Sequence, residues 1–331
     1  MGLVDEYKVH LKNVRRYSSR TVEIYVSAVE DFVSWIGREG TEVNDVLLVD
    51  SLIPSLIREY VLSQLDSSVG KSAKTVNLHL SALSGFCQYL IKKGIMTSNP
   101  VRMVPKPKIE KPLPHFFRKD SVDTYFNNTN WIFKEDSFQS FLSSWETKSG
   151  KDYYTDLLAR VIISCLYSLG IRRAELISLK VGDVDFGRKV VKVHGKGDKM
   201  REIPLIASLS EELLLYLKAV ETMCGGKRSL TQPLLVTYAG KPLYPMYVDR
   251  TVKQELGDVK GISGRKSPHV LRHSLATELM NDGTNLNTIK EMLGHSSLAS
   301  TQVYTHSSIS RLKNIYERAH PRAKNGGKHG D

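Results

Sequence analysis

The chain has 331 residues, enough for about two domains of ordinary size, and its 47 Lys and Arg against 35 Asp and Glu give a formal net charge of +12 at pH 7. This excess favours a polyanionic partner such as nucleic acid, while 41% hydrophobic and 25% charged residues exclude a mostly disordered basic chain. No apolar run approaches the ~20 residues needed to span a bilayer, and three isolated cysteines exclude a disulfide framework or a zinc cluster, so we expect a soluble, cytoplasmic protein.

Two segments near the start of the chain share one amphipathic helical pattern. In residues 18–40, apolar side chains recur at three- and four-residue steps behind a serine that can cap a helix. The same cap, small residues and aromatic residue return 54 positions later, in residues 72–94. Two copies are too few for a solenoid. We therefore predict an all-helical domain over residues 1–98, a four-helix unit completed by residues 2–15 and 52–66.

Both helices of this repeat begin with a serine that is followed two positions later by a cation. The pairs are Ser18 with Arg20 and Ser72 with Lys74. A cation beside the free N–H groups of a helix N-terminus suits a phosphate, which makes Arg20 and Lys74 candidate DNA-binding residues. The alternative interpretation is solvated surface charge.

Residues 99–114, NPVRMVPKPKIEKPLP, are rich in proline and in basic residues. Proline at this density cannot continue a helix, so we predict an extended interdomain linker that can cross a DNA backbone. Positive charge continues on both sides of it. Residues 1–111 carry 15 basic and 12 acidic side chains (+3), and residues 112–331 carry 32 and 23 (+9).

The second predicted domain spans residues 115–323 and is followed by a flexible polar tail, residues 324–331. Its pattern predicts a buried helix that ends at Gly170, a short helix directly after it, and further helices beyond residue 209. Between them, the β-branched runs VDF, VVKVHG and REIPL predict a small antiparallel sheet. Residues 127–155 give no structural prediction. The expected fold class is mainly α with a small antiparallel β-sheet (α+β).

Four short motifs follow one another in this second domain. They are GIRRAEL at 170–176, HGKGDK at 194–199, HVLRH at 269–273 and LGHSSLASTQVYTH at 293–306. In this order, with 24 residues from Arg172 to Lys196 and nine from His295 to Tyr304, they resemble the tyrosine recombinase (phage integrase) family, most closely its Xer branch. The ending AHPRA is also similar to that branch. The resemblance implies a helical core-binding domain followed by the family's catalytic domain.

The resemblance also implies a catalytic set and a role for each member. The matching residues are Arg172, Lys196, His269, Arg272, His295 and Tyr304, with Glu175 in support. The arginines correspond to the phosphate clamp, Lys196 to the general acid and Tyr304 to the nucleophile. The histidines correspond to positions that bind the phosphate or assist the tyrosine, and Glu175 to an acidic residue that orients the site. Neither a cofactor nor a metal is expected.

The apolar residues after Tyr304 predict a short helix. Ile309, Leu312, Ile315 and Tyr316 recur at three- and four-residue steps. The resemblance implies that this helix inserts into a neighbouring subunit, and docking on its own domain is the alternative. The implied partners are double-stranded DNA at inverted-repeat sites and further recombinase subunits, in a homotetramer or heterotetramer associated with the nucleoid.

Three functions remain open at this point. An Xer-like enzyme resolves chromosome dimers or inverts DNA, and a mobile-element integrase uses the same chemistry on other sites. A DNA-binding architectural protein with a decayed active site is the alternative from another class, although the motif residues are intact.

Overall fold

The computed structural model describes residues 2–66, 68, 70–109, 116–195, 200–294, 316 and 318–323. The chain forms two compact units, Met1–Pro112 and Leu113–Asp331, and each has its own hydrophobic core. Within the described ranges, no helix has the length and apolar content that crossing a bilayer requires.

The first unit is helical, as the repeat predicts. Its helices are α1 (Leu3–Asn13), α2 (Ser19–Ile36), α3 (Asp45–Asp50), α4 (Pro54–Leu65) and α5 (Ala73–Lys92). The four predicted helices correspond to α1, α2, α4 and α5, and α3 is one short helix more. The repeated residues Phe32 and Phe86 are both fully buried in the core of this unit.

Serine caps begin both helices of the repeat, as predicted. The Ser18 hydroxyl accepts a hydrogen bond from the backbone N–H of Thr21, and the Ser72 hydroxyl accepts one from that of Thr75. Each cap satisfies one of the N–H groups that a helix N-terminus leaves without an intrahelical partner.

Helices α2 and α5 pack antiparallel. Lys71, just before α5, forms an ion pair of 2.8 Å with Asp31 in the second half of α2, whereas Gly85, late in α5, lies against Tyr25 near the start of α2. Arg20 and Lys74 are both exposed, and they lie at opposite ends of this helix pair. The 18 residues of α2 correspond to roughly 27 Å, so the two cations cannot contact one phosphate together.

The predicted linker begins inside the first unit. Pro100–Met103 form a 3-10 helix that Asn99 caps by accepting from the backbone N–H of Val101. Val101 and Val104 are buried against α4 and α5. Val101 and Val104 are an apolar pair at i, i+3 spacing within a proline-rich segment. Their burial explains why the prediction of an extended linker is wrong for residues 99–104.

The second unit is mainly helical with one small sheet, which confirms the predicted fold class. Its elements are α6 (Lys119–Asn128), α7 (Glu135–Ser144), α8 (Lys148–Leu169), α9 (Arg173–Ser178), β1 (Val184–Asp185), β2 (Val190–His194), β3 (Met200–Pro204), α10 (Ala207–Cys224), α11 (Pro245–Glu255), α12 (Pro268–Asn281) and α13 (Leu286–Leu293). The strands form an antiparallel sheet in the order β1-β2-β3. Residues 127–155, which the sequence left without a prediction, contain α7 and the start of α8.

Helix α8 lies at the centre of the second unit. All its residues from Leu157 to Leu169 are buried, and α7, α10, α11 and α12 pack against it. The helix ends where predicted, at Gly170, which adopts a left-handed conformation with φ of 58°. A side chain there would also clash, because an added Cβ would lie 2.6 Å from Leu293 and 2.9 Å from Leu275. Gly170 therefore lets the end of α8 approach α12 and α13 closely.

Tyr316, the last residue of the apolar stripe Ile309, Leu312, Ile315 and Tyr316, packs on its own domain. Tyr316 is 1% exposed in the core of the second unit, and its hydroxyl donates to the carbonyl oxygen of Ser168 on α8. The expected insertion into a neighbouring subunit is therefore wrong for Tyr316, because its ring is already fully buried within its own chain. Ile309, Leu312 and Ile315 lie outside the described residues.

A buried ionic network holds Arg322, which follows Tyr316 closely in the chain. The Arg322 guanidinium donates to the Glu212 carboxylate of α10 and, at 3.1 Å, to the Ser168 hydroxyl, and lies 3.8 Å from the centre of the Phe126 ring. Glu212 also accepts from Arg160 of α8 at 2.8 Å. Two guanidinium groups thus share one buried carboxylate, so loss of Glu212 would leave two buried positive charges without their counter-charge.

We predict that two truncations separate the anchored segment from the tail. Removing residues 316–331 should lower the free energy of unfolding by roughly 3–5 kcal/mol, the usual cost of deleting a fully buried aromatic ring. Removing only residues 324–331 should leave it unchanged, because this cut keeps Tyr316 and Arg322. Urea unfolding followed by circular dichroism measures both. Equal midpoints for the two truncated proteins would contradict the assigned packing.

Candidate active site

Arg172 and Glu175 form a closed pair at the start of α9. Arg172 is the residue before the helix, and its backbone N–H and its side chain both donate to the Glu175 carboxylate, at 2.9 Å and 2.7 Å. This is the carboxylate half of a capping box, in which the third helical residue reaches back to the cap. Glu175 is 5% exposed, and the Arg172 side chain is 37% exposed. The pair therefore extends from the interior to the surface.

Arg173 has a different environment from its neighbour. Its guanidinium pairs with Asp249 of α11, and both side chains are partly exposed. The sequence left Arg173 without a role, and the structure separates it from the cluster around Glu175.

Arg272 is buried on α12. Its guanidinium donates to the carbonyl oxygens of Gly170, at the end of α8, and of Leu293, at the end of α13. Because a helix end carries carbonyl groups without intrahelical partners and a partial negative charge, a guanidinium is a favourable partner there. The HVLRH motif thus ties together the ends of two other helices.

Arg201 on β3 completes the cluster, and sequence reasoning missed it. It donates to both oxygens of Glu175, at 3.1 Å and 2.8 Å, and its Nε donates to the Met292 carbonyl at 2.9 Å. The strand alternation in MREIP contains a usable signal, because Arg201 shares its face with the buried Ile203. A charged residue at an inward position requires a buried partner.

Three arginines therefore bind three successive carbonyl groups at the end of α13. Arg201 binds that of Met292, Arg272 that of Leu293, and Arg172 that of Gly294 at 3.0 Å. Gly294 is left-handed with φ of 67°, and an added Cβ would lie 3.1 Å from Arg201 Nη1. Residue 295 directly follows Gly294 in the chain.

His269 precedes Arg272 by one helical turn on α12 and is exposed. Pro268 is the first helical residue and Ser267 the cap, so His269 lies at the positive end of the helix dipole. His273 is exposed as well. The structure thus brings Arg172, Glu175 and Arg272 into one cluster and shows His269 at the N-terminal end of the helix that carries Arg272.

Lys196, His295 and Tyr304 lie outside the described residues. The strands that flank Lys196 are described: β2 and β3 pair antiparallel, with His194 opposite Met200. Two other tyrosines, Tyr316 and Tyr244, are among those in the described part of the chain. Tyr316 is buried and bonded to Ser168, and Tyr244 is 48% exposed just before α11. Burial raises the pKa of Tyr316, which leaves this phenol unsuited to attack on an external group.

The electrostatics of the cluster favour a bound anion. Burial alone would raise the pKa of Glu175, but the hydrogen bonds and charge of Arg201 and the bonds from Arg172 lower it to about 2. Burial, together with the charges of Arg172 and Arg201, lowers the pKa of Arg272 to about 10. Within the described part of the cluster, three guanidinium groups share one carboxylate, an excess of two positive charges. Among the described residues, no group of three or more His, Cys, Asp or Glu side chains forms a metal site.

Comparisons with known proteins agree with the sequence motifs. Residues 132–311 match the model of the phage integrase family, and residues 4–94 match the phage integrase N-terminal SAM-like domain. The chain belongs to the phage integrase family. It is 30% identical over 324 residues to the tyrosine recombinase XerC of Chlorobaculum parvum, covering 97% of this chain and 94% of the relative. It is 33% identical over 322 residues to XerC of Bacillus licheniformis, covering 96% and 95%.

A solved structure of this family has a similar fold. The XerH site-specific recombinase in a post-cleavage complex with palindromic difH DNA aligns with a TM-score of 0.64 at 19% identity, over 95% of this chain and 84% of that one. The chain is therefore an Xer-like site-specific tyrosine recombinase, an enzyme of the class that cleaves and rejoins DNA strands.

We predict that the stabilisation by Glu175 is lost in acid. An unfolded glutamate titrates near 4.5, and this one near 2, so its contribution is complete above about pH 4.5 and disappears as the pH falls toward 2. Glu175→Gln should lower the free energy of unfolding at pH 7 by on the order of 3 kcal/mol. The difference from the wild type should shrink at pH 4 and again at pH 3.

Urea unfolding at these three pH values measures that difference. Glu202→Gln is the matched control, because Glu202 lies next to Arg201 and forms an outer ion pair with Arg188. Its effect should stay below about 1 kcal/mol at each pH. A Glu175→Gln difference that stays constant from pH 7 to pH 3 would show that this carboxylate is not held ionised.

Proposed function

We propose that this enzyme cleaves DNA by clamping one phosphodiester with Arg172 and Arg272 while Tyr304 attacks it. The observation that carries the proposal is the buried arginine cluster with two more positive charges than negative ones. A phosphate supplies the missing negative charge, and the transition state spreads that charge over non-bridging oxygens. The net charge of +12 attracts the same partner over longer distances.

Enough N–H groups remain for this clamp. A guanidinium has five N–H donors in a fixed planar fork. Arg172 uses two of them on Glu175 and Gly294, and Arg272 uses two on Gly170 and Leu293. Each therefore retains three for the oxygens of a phosphate, and the internal bonds hold each fork in place before DNA arrives.

The proposed chemistry conserves the phosphodiester energy. The Tyr304 oxygen forms a bond to phosphorus, the bond to the 5′ oxygen breaks, and a 3′-phosphotyrosine joins enzyme and DNA. His295 or His269 accepts the phenolic proton or binds a phosphate oxygen, which imidazole can do near neutral pH. Lys196 gives a proton to the departing 5′ oxygen. Reversal with a 5′ hydroxyl from another strand rejoins the DNA without ATP, cofactor or metal.

The proposed substrate is double-stranded DNA at inverted-repeat sites, recombined by a homotetramer or a heterotetramer. The relatives named XerC and the DNA-bound XerH structure support this choice. The cellular role we propose is chromosome dimer resolution or DNA inversion. Integration of a mobile element is the second candidate, since it uses the same residues, and sequencing the DNA trapped on the enzyme in cells distinguishes the two.

Residues 115–323 are proposed as the catalytic domain, and the first unit, which extends beyond the predicted residues 1–98 to include the packed residues 99–104, is proposed as the core-binding domain. Arg20 and Lys74 are its proposed DNA contacts. Both side chains are exposed beside capped helix N-termini, and Arg20 has one weak partner, Glu23 at 3.5 Å. Because these cations lie at opposite ends of the α2–α5 pair, the proposal requires each to bind a separate phosphate.

We predict that Tyr304→Phe forms no covalent adduct with a nicked duplex whose cut strand cannot be rejoined. The substitution removes only the attacking oxygen, so DNA binding should stay within about twofold of the wild type. The covalent adduct is measured on denaturing gels. The wild-type protein is also assayed with a chelator present, and we expect it to keep full activity. Tyr244→Phe is the matched control and should form adduct normally. Adduct from Tyr304→Phe would reject the assigned nucleophile, and none from the wild type would favour an architectural protein.

We predict that Lys196→Ala loses cleavage of ordinary DNA by about 10²–10⁴-fold and recovers it when sulfur replaces the 5′ bridging oxygen. A thiolate leaves without protonation, because its pKa is far lower than that of an alcohol. Arg172→Ala is the control, since a missing clamp is not replaced by a better leaving group. Rescue of Arg172→Ala but not of Lys196→Ala would assign the general acid to another residue.

A further inference from the structure

Arg201 connects three parts of the chain that contain or adjoin proposed catalytic residues: strand β3, the start of α9 and the end of α13. Its own strand, β3, forms one side of the hairpin that contains Lys196. Its guanidinium holds Glu175, which holds Arg172, and its Nε holds the carbonyl of Met292 at the end of α13. Each of these bonds is between 2.7 and 3.1 Å.

Arg201 has fewer N–H groups left for a phosphate than the proposed clamp arginines. Arg201 and Arg272 are both 6% exposed, but Arg201 uses three of its five donors on Glu175 and Met292, whereas Arg272 uses two on backbone carbonyl groups. Arg172, in contrast, is 37% exposed. The cluster therefore contains arginines of two kinds, with Arg172 open to a ligand and Arg201 enclosed by protein.

The end of α13 has little freedom while these bonds persist. The carbonyl groups of its last two residues and of the cap residue Gly294 are bound in succession by Arg201, Arg272 and Arg172. A Cβ added at Gly294 would lie 3.1 Å from Arg201 Nη1, so the two residues are close neighbours. The bond from Arg201 to Met292 thus holds the end of α13, the last described element before residue 295.

We propose that Arg201 is a positioning residue for strand cleavage. It couples strand β3, the Arg172 clamp and the end of α13, so that these three elements keep one relative position around the phosphate. This inference rests on the proposed function. It predicts a loss of chemical rate without a loss of DNA affinity, since a misplacement of about 1 Å near reacting groups costs as much as 10²-fold.

The test measures the rate constant of adduct formation in a single turnover on the nicked duplex, at saturating protein. For Arg201→Met we expect a rate constant reduced 10- to 100-fold and a dissociation constant for DNA within threefold of the wild type. At saturating protein the folded fraction still binds all of the DNA, so partial unfolding leaves the rate constant of the bound complex unchanged, and this readout separates positioning from stability. All assays are run below the melting temperature of each variant.

Arg201→Lys tests whether a positive charge at this position is enough to maintain the rate constant of adduct formation. A single ammonium cannot reach both Glu175 oxygens and the Met292 carbonyl, so we expect at least a tenfold lower rate constant here too. Should Arg201→Met fail to accumulate as folded protein, this variant carries the same comparison.

Arg188→Met is the matched control. Arg188 forms a two-pronged pair with Glu202, at 2.9 Å for both bonds, on the adjacent residue of β3. Its removal costs the sheet a comparable ion pair away from the cluster, and both the rate constant and the affinity should stay within threefold of the wild type.

Arg172→Ala separates the inference from the proposed function beneath it. If Arg172→Ala forms adduct at the wild-type rate, the proposed clamp is wrong. If Arg172→Ala is inactive while Arg201→Met or Arg201→Lys keeps the wild-type rate constant, the clamp stands and the positioning role is overturned. A rate constant for Arg188→Met as low as that for Arg201→Met would also overturn it, because any weakening of the sheet would then suffice.

Discussion

The carboxylate of Glu175 is the one buried negative charge on which the arginine cluster depends. It accepts from Arg172 and Arg201 at once, and their combined effect outweighs the cost of its own burial. Without it, three guanidinium groups would share the interior with backbone dipoles alone, a cost of several kcal/mol per ion. The network therefore lets the fold keep positive charge where an external phosphate can bind it.

Helix ends supply the rest of the support. At the ends of α8 and α13, carbonyl groups without an intrahelical partner accept hydrogen bonds from the arginines. The same bonds therefore cap the helices and orient the guanidinium groups. Gly170 permits this arrangement, since any side chain there would push Leu293 and Leu275 away. The same residues thus pack the core and position the arginines, so a small shift in the packing of the core also moves the arginine side chains.

The sequence predicts what depends on local pattern or on a recognised motif. Serine caps, the β-branched strands and the stop at Gly170 are local, and the motifs select Arg172 and Arg272 from 47 basic residues. What it does not predict depends on distant partners. Arg201 resembles any strand cation until Glu175 is seen beside it, and the docking of Arg322 depends on Glu212, 110 residues away. The apolar stripe likewise indicates that Tyr316 will be buried without indicating in which subunit.

The lowered pKa of Arg272 gives a physical reason why the proposed clamp would use arginine and not lysine. Its surroundings reduce the affinity of this group for its proton, from an ordinary 12.5 to about 10. The same surroundings would also lower the pKa of a lysine, which begins from a lower ordinary value and would therefore lose its proton more readily. Guanidinium tolerates the repulsion of its neighbours and stays charged. A phosphate that enters the cluster relieves this repulsion, and the added charge of the transition state relieves it further, which makes the repulsion among the cations a source of selective binding.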